Sequence, residues 1–135
     1  MQLFHATSSA NLAGIMALGL NPGSYWTNDA GILDYYKETI EDDGATPVVL
    51  SIGIDTLIDI ATQTGHGLEP DIPGVEEPIS TVIGKSDEAI WSMWSASRGT
   101  WQDSLSIIGS LRCRATIPAA MLTVLDLHDM LAPGM

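Results

Sequence analysis

Three short stretches carry residue types suited to holding a sugar and a flat ring. Leu3-Phe4-His5-Ala6-Thr7-Ser8 ends an apolar run on a polar His-x-Thr. Tyr25-Trp26-Thr27 opens the way to Asn28-Asp29-Ala30, and Tyr36 lies eleven positions past Tyr25. Trp101-Gln102-Asp103-Ser104-Leu105 stands in the last third. An imidazole at a strand end can donate to a ribose hydroxyl while its other nitrogen accepts. The bland alternative is a satisfied core histidine. Tyr25 can lay its ring on a flat heterocycle, and Tyr36 can close the same slot from the following helix. Ordinary packing is the alternative for each. A carboxylate beside a sugar stabilises an oxocarbenium-like cation, which is the use suggested for Asp103. Gln102 can present an acceptor. The alternative for Asp103 is a polar residue in a turn before a strand. Together these residue types suit a nucleotide pocket better than a core.

The elements that must position them follow from local pattern. Gln2 to Thr7 reads as a strand with Leu3 and His5 on one face and Phe4 and Ala6 on the other. Ser8 or Ser9 caps a helix whose apolar stripe is Leu12, Ile15 and Met16, and Gly19 stops it. Asn21-Pro22-Gly23 is a turn. Ser24 to Thr27 reads as a short strand. Asn28 or Asp29 caps a helix from about Ala30 to Glu41, with Ile32, Leu33, Tyr36 and Ile40 on one side and Asp42-Asp43-Gly44 at its end. Thr46 to Ile54, rich in β-branched residues, reads as a buried strand. Asp55 to Ala61 is ambiguous between helix and strand. Thr62 to Ser80, with its prolines, glycines and acids, reads as a long functional loop. Asp87 to Ser97 reads as a helix capped by Ser86, with Ile90 and Trp94 at i, i+4. Ser104 to Arg112 and Leu122 to Leu127 read as late strands joined by a turn at Pro118. Short strands mixed with few helices predict an α+β fold. The chain shows no internal repeat.

At 135 residues and 45% hydrophobic composition the chain can bury a core and reads as a single domain, 1–135. No apolar run reaches the roughly 20 residues that span a bilayer. The N-terminus lacks the pattern of a signal peptide. The lone Cys113 fits a reducing cytosol and reads as core filler. Seventeen acids against five Lys+Arg give a net charge of −12. That balance disfavours a nucleic-acid backbone and favours a protein partner with a basic surface. It also keeps a domain soluble.

The remaining signals are weaker. His66 lies between two glycines, and His128 stands beside Asp126 and Asp129, without metal-ligand spacing. Neither a G-x-G-x-x-G nor a G-x-x-x-x-G-K-[ST] run occurs. Trp91 and Trp94 read as core. Arg112 and Arg114 share one strand face and could meet a pyrophosphate, but edge-strand solubility is their plainer role.

The order LFHATS, SYWTNDAGILDYY, TWQDSLSIIG resembles the ADP-ribosyltransferase superfamily in its His-Tyr-acid branch. The resemblance implies a single α+β domain in which short mixed or antiparallel strands form a split sheet with a few flanking helices. It implies NAD+ as co-substrate, with no metal, and transfer of ADP-ribose to a protein. By resemblance His5, Tyr25 and Asp103 are the catalytic triad, and His5, Ala6, Thr7, Tyr25, Tyr36 and Gln102 bind the dinucleotide. The two tyrosines would hold the nicotinamide ring. Ala6 stands where the family often has glycine. Asp87, Glu88, Glu76 and Glu77 are alternatives for the acid. The small size, acidity and start are also similar to phage-encoded anti-CRISPR ADP-ribosyltransferases, which implies an anti-defence effector acting in the host cytoplasm. The superfamily's RNA 2′-phosphotransferase branch would need more arginines than Arg98, Arg112 and Arg114. A different class stays open: a non-catalytic acidic module that blocks a basic, nucleic-acid-binding protein.

Overall fold

Short strands from along the chain build one antiparallel sheet, against which helices pack. The structure is a computed structural model that describes residues 1–71 and 77–125. In chain order the strands are β1 (Gln2–Ser8), β2 (Ser24–Thr27), β3 (Pro47–Gly53), β4 (Leu68–Pro70), β5 (Ser110–Cys113) and β6 (Thr123–Leu125). The helices are α1 (Leu12–Leu18), α2 (Ala30–Asp42), α3 (Ile54–Thr64), α4 (Glu77–Ile83), α5 (Asp87–Ala96) and α6 (Trp101–Ile108). The sheet order is β4-β5-β2-β1-β3-β6. The expected mixture of helices with an antiparallel sheet is therefore present.

The pairing is uneven. β1 runs against β3 through a continuous register from Gln2 opposite Gly53 to Ser8 opposite Pro47. β2 pairs with β5 along its whole length, Ser24 opposite Cys113 to Thr27 opposite Ser110. Between β1 and β2 a single register pair remains, Phe4 opposite Thr27. The ladder therefore opens in the middle of the sheet.

One face carries the main core. Leu3, Trp26, Leu50, Ile52, Leu111 and Cys113 pack there against Ile15 of α1, Leu57 and Ile60 of α3 and Leu105 of α6. Trp26, Leu3 and Leu111 are fully buried, and Trp26 satisfies its indole N–H on Ser24 Oγ at 2.9 Å. Cys113 is buried as expected, and burial raises its thiol pKa. A smaller core joins Ile90 of α5 to Ile107 and Ile108 of α6, with Ile83 and Trp94 against it.

Several expectations are corrected. Ser104–Arg112 is not a strand: α6 runs to Ile108, Gly109 turns the chain in the left-handed region, and only Ser110–Cys113 is strand. A capping box starts that helix. Thr100 Oγ1 accepts from the Asp103 backbone N–H, and the Asp103 carboxylate accepts from the Thr100 N–H. Thr62–Ser80 is not one long loop, because α3 extends to Thr64 and Leu68–Pro70 adds a strand beside β5. Residues 72–76 of that stretch lie outside the described residues. β5 sits between β4 and β2, so Arg112 is not on an edge strand. Trp91, expected in the core, and Met16, expected on the apolar stripe of α1, are 44% and 49% exposed, because each falls on the outer side of its helix. His128, Asp126 and Asp129 lie outside the described residues. No helix among the described residues is long and apolar enough to cross a membrane.

Candidate functional site

The opening between β1 and β2 is where His5, Ala6, Tyr25 and Tyr36 meet. Strand alternation puts Phe4 and Ala6 of β1 on the face that carries Tyr25 and Thr27 of β2. α2 crosses that face. Its N-cap Asp29 accepts from the Ile32 N–H at 2.9 Å, and Ile32 and Leu33 are buried beneath it. One turn on, Tyr36 overhangs the strands. Phe4, Ala6, Tyr25, Thr27, Leu33 and Tyr36, with His5 and Trp26, line a cavity of about 180 Å³. Alternation assigns His5 and Trp26 to the opposite face, so they reach this slot because the strands part there. A cavity of about 150 Å³ holds a benzene ring. The slot is therefore the size of one substituted six-membered ring and far smaller than a dinucleotide.

His5 spans the gap. Its Nδ1 lies 2.8 Å from the Tyr25 carbonyl oxygen, and its ring centroid is 5.5 Å from that of Trp26. A carbonyl only accepts, so Nδ1 carries the hydrogen. Burial lowers the imidazole pKa, and the bond to the Tyr25 carbonyl only partly opposes this. The ring is therefore neutral near pH 7 and offers Nε2 as an acceptor. With Nδ1 engaged on the Tyr25 carbonyl, the nitrogen left for any partner is the acceptor.

The two tyrosines stay partly exposed, Tyr25 at 42% and Tyr36 at 37%. The Arg112 guanidinium lies 5.5 Å from the centroid of the Tyr25 ring, a cation–π arrangement. Tyr36 meets Tyr35 edge-to-face at 5.4 Å. Both rings are held, yet both keep surface for a ligand.

The other sequence-selected residues lie elsewhere. Thr7 lines a separate cleft with Asn11, Gly14 and Asn21, and its hydroxyl accepts from Asn11 Nδ2 at 3.2 Å. Gln102 is exposed on the first turn of α6. Asp103 does not line the slot. Its Oδ2 accepts from the Thr100 backbone N–H at 3.1 Å and hydroxyl at 2.8 Å. Those bonds, with Arg98 nearby, lower its pKa. Asp87 accepts from the Ser80 hydroxyl, and Glu88 is exposed. Glu76 lies outside the described residues, and only the backbone of Glu77 is described.

Asp71 belongs to none of the sequence motifs, yet it is anchored in the fold. Ser110 pairs with Thr27 of the slot and donates to Asp71 Oδ2 at 3.0 Å. Ser104 Oγ accepts from the Asp71 N–H at 2.9 Å and donates to the Ser110 carbonyl at 2.7 Å. These buried serines tie an acid to the register row that crosses the slot. Their signal was two serines inside an apolar stretch. Among the described residues no group of three His, Cys, Asp or Glu side chains is arranged to hold a metal.

Comparison of the chain with family models, with curated proteins and with solved structures finds no match.

Proposed function

We propose that this chain is an NAD+-dependent mono-ADP-ribosyltransferase of the His-Tyr-acid type, acting on a protein with a basic surface. The observation that carries the reading is the slot itself. His5, Ala6, Tyr25 and Tyr36 come from three elements and meet where the ladder opens. In this reading the nicotinamide ring enters the slot against the tyrosines, and His5 Nε2 accepts from a ribose hydroxyl. The rest of the dinucleotide lies outside, since the slot admits one ring. Loss of nicotinamide leaves a cationic sugar that a carboxylate must stabilise. A nucleophilic side chain of the target then attacks the sugar carbon.

A second reading is favoured by one observation: among the described residues no carboxylate lines the slot, and that of Asp103 is bonded into its helix cap. A chain that binds the ring without turnover, and acts by covering a basic partner, answers to that arrangement. The experiment that separates the two follows free nicotinamide by chromatography during incubation with NAD+, for wild type, His5→Ala and Asp71→Asn. Release by wild type that is lost in His5→Ala supports the transferase, and loss in Asp71→Asn assigns the acid. Bound NAD+ that stays intact supports the second reading and rejects the first.

A further inference from the structure

Arg112 lies on β5, and Arg114 follows one residue past the end of that strand. With His66, from the turn between α3 and β4, they line a surface depression of about 370 Å³ together with Pro22, Gly23 and Thr116. The chain has only five Lys+Arg against seventeen acids, so two of those five cations beside an imidazole run against the overall charge. Gly23 clears room for this. Its φ is +89°, and a Cβ there would stand 3.1 Å from Arg112 Nη2. The Arg112 guanidinium is ordered over the Tyr25 ring, and among the described residues no carboxylate lies within ion-pair distance of it. Arg114 is fixed by one bond, Nη1 donating to Glu69 Oε1 at 2.7 Å. A guanidinium has five N–H donors, so a single bond leaves others for a ligand.

We propose that this depression is an anion site that takes a phosphoryl group, with Arg112 as its main ligand and Arg114 and His66 beside it. Planar guanidinium forks match phosphate oxygens two at a time, which a lone lysine does not. Thr116 adds a hydroxyl donor. Glu69 opposes the anion while it orders Arg114, so the carboxylate sets an upper limit on affinity. The site does not depend on the slot reading. Two sources of phosphate share this chemistry: the pyrophosphate of a dinucleotide whose ring lies on Tyr25, and a separate phosphorylated molecule.

The test is calorimetric titration of the full chain with inorganic pyrophosphate at low ionic strength, repeated with Arg112→Gln and Glu69→Gln. The expected result is one site, weakened about tenfold or more by Arg112→Gln, since a charge-assisted hydrogen bond is lost. Glu69→Gln is expected to bind several-fold more tightly, which unfolding cannot mimic. No binding by wild type, or the same affinity in all three proteins, overturns the proposal. A thermal melt of Arg112→Gln checks that the loss is not one of fold. If NAD+ displaces pyrophosphate, the dinucleotide is the source. If both bind together, the phosphate is separate. Pyrophosphate binding without NAD+ binding upholds this site and rejects the slot reading.

Discussion

The resemblance makes both His5 and Asp103 catalytic, and their surroundings separate them. His5 sits half-buried in the gap of the sheet, and burial depresses its pKa. A depressed base binds fewer protons in the folded than in the unfolded chain. Its contribution to stability is therefore complete above the ordinary value of 6.5 and is lost as pH falls through the folded value. Urea melts between pH 7 and pH 5 are expected to show this loss in wild type and less of it in His5→Gln. Asp103 instead completes a cap. Thr100→Ala, which removes the N-cap hydroxyl, is expected to cost about 1 kcal/mol. Asp103→Ala is expected to lower the melting temperature without changing affinity for NAD+. A fall in affinity in a variant that melts normally would return Asp103 to the site.

The elements that frame the slot were legible because their signals are local. β1 and β2 alternate, Asp29 caps α2, and Pro47–Gly53 is rich in β-branched residues, so these four come within a residue or two of expectation. The C-terminal third was misread for a physical reason. Leu105-Ser-Ile-Ile reads as strand by propensity, yet Thr100-x-x-Asp103 is a helix start and Gly109 a helix stop. Caps outweighed propensity there. Gly109 holds φ +74°, and an added Cβ would lie 3.0 Å from Asp29 Cβ and 3.1 Å from Asn28 Oδ1. Gly109→Ala is expected to destabilise by at least the left-handed cost of about 1–2 kcal/mol, measured by chemical denaturation. The strain falls on the N-cap of α2, so the same variant is expected to weaken ligand binding in the slot.

At the scale of the molecule, the sheet and α2 bring residues 4–6 and 25–27, with Leu33 and Tyr36, to one opening, a convergence that spacing along the chain does not reveal. Which strands pair weakly is a property of the whole register. The sequence could nominate His5, Tyr25 and Tyr36 but could not show that β1 and β2 share one register pair. The acidic charge was plain from composition. The pairing of Arg112 with Arg114 was legible too, but not the depression they form with His66, which joins them only after β4 is laid beside β5. The central claim is that the slot holds a nicotinamide ring between Tyr25 and Tyr36. The most direct measurement is the equilibrium Kd for NAD+ of wild type, Tyr25→Ala and Tyr36→Ala. Loss of one stacked ring is expected to cost about 1–3 kcal/mol, roughly a 5- to 150-fold weakening in each variant. NAD+ that binds all three proteins equally, or does not bind wild type, would contradict the claim.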